Sequence, residues 1–190
     1  MTVRDHLVSI ATIVLLSHAA LAQFEPPEQA PPAPDVNSAL GALNTLPPEY
    51  QNFVVKVSAD NGTPDPSQWY ILAYRGNPQE GLFSIIVANG EIVREKPSFN
   101  VGELFKVPNP IAIERITIDS RSAFDIAAQF AAANEHTLKS VSYVLQQTGP
   151  DATPVWKIWC YGRGGNYFGY MEISATNGAV ISTDGLPRAP

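Results

Sequence analysis

Apolar residues either alternate with polar ones or run together over eight short stretches: 52–58, 68–75, 82–88, 91–96, 140–147, 154–161, 167–175 and 179–183. Each is rich in Val, Ile, Tyr, Phe or Trp, and the pattern predicts β-strands. Asn89-Gly90 and Asn177-Gly178 separate neighbouring stretches. A type I′ turn needs positive φ at both central positions, which Asn and Gly tolerate, so both pairs predict tight hairpins. The loops Asp60–Ser67 and Thr148–Thr153 join the first two strands of each set, and their prolines end the ladders. Two segments read as helices. Residues 122–134 are Ala-rich, with Ser122 and Asp125 resembling a capping box and Phe124, Ala127, Ala128 and Ala131 forming an apolar stripe beside Phe130. Residues 35–46 place Asp35 at the cap and Leu40, Leu43 and Leu46 inward, and Pro47-Pro48 ends them.

The elements occur twice. A shift of 87 residues lays Trp69 on Trp156, Ile71 on Ile158, Tyr74 on Tyr161, and Val54 and Val57 on Val141 and Val144. After one added residue, a shift of 88 lays Phe83, Ile85 and Val87 on Met171, Ile173 and Ala175, and one Asn-Gly on the other. Self-similarity at a fixed period marks a repeated unit. The predicted fold class is therefore α+β, a tandem duplicated module in which each copy is a helix packed on a four-stranded antiparallel sheet, since a lone sheet of that size needs a cover. The first module spans 35–97, a linker 98–118, the second module 119–184 and a tail 185–190. Pro97, Pro108 and Pro110 break the linker, and Ile111–Ile118 carries a candidate extra strand.

The N-terminus has its own pattern. Arg4 precedes an apolar run from Leu7 to Leu16, and Ala20-Leu21-Ala22 supplies a small-x-small cleavage site. Residues 1–22 thus read as a secretory signal peptide, too short and interrupted for a stable membrane span. Residues 23–34 are Pro- and Glu-rich and read as an extended leader. The expected location is periplasmic or secreted.

Composition narrows the chemistry. The chain of 190 residues carries a net charge of -6 and no basic cluster, which argues against nucleic acid. With the signal removed, His136 and Cys160 are the sole His and Cys. They cannot supply a structural zinc site. A nucleophilic Cys needs a base in reach, and Cys160 lies mid-strand where the other copy has Ala73, so it reads as a small packing position. Gly162–Asn166 lacks the Lys-Ser/Thr of a phosphate loop, and Asp60, Asp65 and Asp151 lack EF-hand spacing. No catalytic, cofactor-binding or metal residues are assigned.

Alternation along the strands sorts the faces. Trp69, Ile71, Ala73, Phe83, Ile85 and Val87 share a core face with Trp156, Ile158, Cys160, Met171, Ile173 and Ala175. On the opposite face Leu82, Ser84 and Ile86 become Tyr170, Glu172 and Ser174, leaving Trp159, Tyr161 and Tyr170 together. With Arg163 these form the candidate contact surface, because aromatics with one polar end suit interfaces. The same rings would equally serve to cover the other module's sheet or the linker.

The run Ile118-Asp119-Ser120 into the Ala-rich helix, then Trp156-Lys157-Ile158 and Gly169 to Val180 through Asn177-Gly178, resembles the PepSY and PepSY-like domains of bacterial exported proteins, with Ser174 where that family commonly has Asp. The resemblance covers 119–184 well and 35–96 more weakly. It implies a cystatin-like module, no catalytic residues, and a partner that is a peptidase. The expected function is that of an exported non-enzymatic binding protein modulating or inhibiting a peptidase in the cell envelope. A structural or adhesion component of the envelope and a hydrolase using carboxylates or Ser are the alternatives.

Overall fold

The computed structural model describes residues 35–77, 81–98, 109–148 and 153–190, all within one unit, Ala33–Pro190. The expected signal peptide and leader, and Asp151, lie outside the described residues. Eight strands form: β1 (Val54–Gly62), β2 (Trp69–Tyr74), β3 (Leu82–Ala88), β4 (Glu91–Pro97), β5 (Ser140–Gln147), β6 (Pro154–Tyr161), β7 (Tyr167–Ser174) and β8 (Val180–Asp184). They make one antiparallel sheet in the order β4-β3-β2-β1-β5-β6-β7-β8. Among the described residues three α-helices accompany it: α1 (Ala39–Asn44), α2 (Pro48–Gln51) and α3 (Ser120–Ala133).

This arrangement overturns the expected tandem of two cystatin-like modules, each a helix on its own four-stranded sheet. The two meanders are halves of a single sheet, joined where β1 pairs with β5 through Lys56–Gln146, Val57–Leu145, Ser58–Val144 and Ala59–Tyr143. The physical reason is the edge. Each meander begins with an apolar strand, and an unpaired apolar edge is a template for pairing. β1 and β5 satisfy each other's free backbone groups, whereas of the two remaining edges β4 is blunted by Glu91, Arg94, Glu95 and Lys96 and β8 is only five residues long. The helices are also unequal. α3 has 14 residues and α1 only six, because Pro47-Pro48 stops it. Pro48 then starts α2 from the first helical position, where a missing N–H costs nothing.

Several local expectations change with it. Ser38, not Asp35, caps α1, and Asp119, not Ser122, caps α3. The two caps are 81 residues apart whereas Trp69 and Trp156 are 87 apart, so an alignment fixed on the strands misplaces the helix starts. Ala123, Ala127 and Ala131 are the buried stripe of α3, with Phe124, Ile126 and Phe130 packed at its flanks. Small residues let the helix approach β6 closely. Ile111–Ile118 is not a strand: it makes a 3-10 turn at Ile113–Arg115 and inserts Ile111 and Ile116 into the core. Asn89 and Gly90 both take positive φ as expected of a type I′ turn, but at the second hairpin only Gly178 does. There Gly178 N donates to Ser174 O and Ser174 N to Ala179 O, closing a longer connection than a two-residue turn.

One sheet face carries the core. Trp69, Ile71, Val57, Ile85, Leu145, Trp156, Ile158, Met171 and Ile173 are fully or almost fully buried on it under the helices. Tyr143 lies between the two tryptophans, 5.6 Å from Trp69 and 5.9 Å from Trp156. Each indole also ties its strand to a helix entry. Trp69 Nε1 donates to Asn37 O at 2.9 Å and Trp156 Nε1 to Ile118 O at 2.8 Å, in each case the carbonyl just before the cap.

The helix starts meet each other. Ser38 Oγ accepts from Gly41 N, Asp119 Oδ1 from Leu40 N, and Ser120 Oγ from Ala39 N. The first three N–H groups of α1 are thus satisfied, two of them by α3's cap region. A helix this short is unstable alone, and these bonds hold it. Gly41 permits the fit, since a Cβ there would strike the Asp35 carbonyl.

Candidate functional site

Among the described residues, no helix lies over the other sheet face. Register places Lys56 and Ser58 of β1, Tyr70 and Leu72 of β2, Ser142, Val144 and Gln146 of β5, Lys157, Trp159 and Tyr161 of β6, and Tyr170 and Glu172 of β7 on this side. All stay half-buried or exposed. The alternation of apolar and polar residues along β2, β5 and β6 produces this directly.

A cleft of about 350 Å³ opens across the join between the halves, lined by Lys56, Ser58, Asp60, Ser142, Tyr143, Val144, Trp159 and Tyr161. It exists because β1 and β5 pair. β1 supplies Lys56, Ser58 and Asp60, β5 supplies Ser142 and Val144, and β6 supplies the aromatic wall. A smaller hollow of about 170 Å³ adjoins it between Lys56, Ser58, Tyr70, Leu72, Ser84 and Ser98.

Trp159 and Tyr170 face each other at 5.1 Å, and Tyr161 and Tyr167 at 6.0 Å. The structure thus pairs Trp159 with Tyr170 and Tyr161 with Tyr167, and Trp159 and Tyr161 both line the cleft. Arg163 is not part of it; that residue is exposed in the 3-10 turn Arg163–Gly165 between β6 and β7. Lys56, Ser58 and Asp60 were absent from the sequence-based surface. Their alternation with Val57 and Ala59 was visible, but the pairing that sets them beside Trp159 was not.

Beside the cleft, Tyr170 Oη donates to Glu172 Oε1 at 2.6 Å and Lys157 Nζ lies 3.6 Å from the same oxygen. The Tyr170 hydrogen bond, ahead of Lys157 and Ser182, holds the Glu172 carboxyl below its usual value against the opposing effect of desolvation. Desolvation and the same bond push the Tyr170 hydroxyl up, so it remains a donor at neutral pH. A depressed carboxyl contributes stability that is complete above its unfolded-state pKa and is lost as pH falls through the folded value. Glu172→Gln is expected to remove that part of the acid-side decline. Melting temperatures of both proteins between about pH 3 and 7 check this: the two curves should converge at the acid end and separate above it.

Cys160 is fully buried, and desolvation pushes its thiol up to about 12. His136 stacks on Phe168 at 4.5 Å, and desolvation alone shifts the Cys160 thiol, with no contribution from His136. The two do not form a nucleophile–base pair. Of the loop carboxylates, Asp65 is bound by Arg121 at 2.5 Å, with Asp35 3.2 Å from the same nitrogen. Among the described residues no three His, Cys, Asp or Glu side chains gather as a metal-holding group, and no helix is long and apolar enough to cross a membrane.

No protein-family model, curated protein or solved structure matches this chain.

Proposed function

We propose that this chain is an exported, non-enzymatic binding protein of the cell envelope that docks a partner protein on the open sheet face, with a peptidase as the partner. The observation that carries the reading is the open face itself. A sheet buried on one side normally presents short polar side chains to water on the other, whereas this one presents Trp159, Tyr161, Tyr167 and Tyr170 in two ring pairs around a cleft. Aromatics with a polar tip contribute large contact area to protein interfaces and dominate their energetics. Export rests on the 1–22 pattern, and the peptidase rests on the PepSY-like sequence of 119–184.

The test is affinity capture from an envelope extract followed by a peptidase assay. The wild-type chain should recover a peptidase and change its activity. Trp159→Ala should lose at least about tenfold of that recovery, the effect of one aromatic hot spot of about 1.4 kcal/mol or more. Recovery without a peptidase, or recovery unchanged by Trp159→Ala, contradicts the reading.

A further inference from the structure

The charges lining the cleft are arranged by sign along one strand. Lys56 and Asp60 share the open face of β1, and neither has an ion-pair partner among the described residues. By contrast the neighbouring Lys157 is paired with Glu172. From Lys56 to Asp60 the strand advances four residues, about 13 Å at roughly 3.3 Å per residue. An extended peptide of about four residues places its ammonium and its carboxylate the same distance apart.

Between the two charges the cleft offers the Ser58 hydroxyl, which also reaches Tyr70 O, and the apolar Val144; Ser142 and the Trp159 ring stand level with Asp60, and Tyr161 continues the wall one step beyond it. The hydroxyls suit backbone amides and carbonyls, and the rings suit side chains. Its volume of about 350 Å³ falls within the range of small-ligand sites, about 300–1,000 Å³. The strands beneath it are paired on both sides, so strand addition, the usual way a sheet takes a peptide, is closed here. Binding must run through side chains. A single-sign ligand such as a phosphate would meet Asp60, and a simple cation would meet Lys56.

We propose that this cleft binds a free short peptide of about four residues, lying extended along β1 with its ammonium at Asp60 and its carboxylate at Lys56. The inference rests on the reading of the open face as a binding surface and gives it a ligand class. Such fragments are what a peptidase releases, which connects the cleft to the proposed partner.

Tetra-alanine with free ends is the probe, titrated into the full chain and followed by tryptophan fluorescence and calorimetry. Saturation is expected below about 1 mM, with a loss of about tenfold or more when both ends are blocked by acetyl and amide groups. Lys56→Met should erase the preference for a free carboxylate over an amide, and Asp60→Asn the preference for a free amine over an acetyl. Neither change touches the core, and near-UV dichroism verifies the fold of each variant. Equal binding of free and doubly blocked peptides, or no saturation by about 10 mM, overturns the proposal. If tetra-alanine fails while Trp159→Ala still loses the captured peptidase, the ligand class is wrong and the docking surface stands; if both fail, the surface itself is wrong.

Discussion

Trp156→Ala should destabilise the protein by about 3–5 kcal/mol, the usual cost of removing a large aromatic from a packed core. The side chain is fully buried, with Tyr143 5.9 Å away and Trp69 6.5 Å away. Its ring therefore supports both halves of the sheet. Its Nε1–H also satisfies the Ile118 carbonyl at the entry to α3. Trp156→Phe separates these contributions. It keeps much of the ring and removes the donor to the half-buried Ile118 carbonyl, a loss of about 1 kcal/mol. Urea denaturation followed by far-UV dichroism measures both. One transition is expected, shifted to lower urea in the order wild type, Phe, Ala. A loss under about 1 kcal/mol for Ala would mean that the ring is not the shared core element described above.

Asp119→Ala has the next largest expected effect, about 2–3 kcal/mol. An ordinary N-cap is worth about 0.5–2 kcal/mol. Asp119 does more, because its Oδ1 accepts from Ser120 N at 2.7 Å in its own helix and from Leu40 N at 3.1 Å in α1. Both donors would lose their acceptor, and the two helix starts, whose positive dipole ends face each other, would lose the carboxylate between them. Asp119→Asn retains an acceptor oxygen and should recover more than half of the loss. The same urea titration reads it. Equal losses for Ala and Asn would assign the effect to charge alone and remove the shared-cap account.

The strands were legible in the sequence because each is an alternating or apolar run between turn residues, and the predicted core face of Trp69, Ile71, Ile85, Trp156, Ile158, Met171 and Ile173 is the buried one. What was not legible is how the halves meet. Period two fixes which face a side chain takes, but carries no signal for which strand lies beside β1. Two modules and one eight-stranded sheet share the same alternation. The choice is made by backbone groups, which every sequence has. The helix caps were missed for two reasons: Asp35 and Ser122 also satisfy the local cap pattern, so the local bond of Ser38 to Gly41 N did not stand out, and Asp119 is fixed in addition by Leu40 N, 79 positions away. The aromatic part of the candidate surface was readable from β6 and β7. The charged part was not, because Lys56 and Asp60 reach Trp159 only across the β1–β5 pairing.

That pairing creates both the single sheet and the cleft, and amide hydrogen exchange tests it most directly. In an antiparallel ladder, successive residues direct their backbone bonds to alternate neighbours. With β2 on one side of β1 and β5 on the other, every amide from Lys56 to Ala59, and from Tyr143 to Gln146, has a strand partner. All of them should exchange only through opening of the whole sheet, at the slow rate set by global stability. If alternate residues in these two stretches instead exchange as fast as exposed amides, β1 and β5 are edge strands and the account of one sheet with a cleft across its centre is wrong.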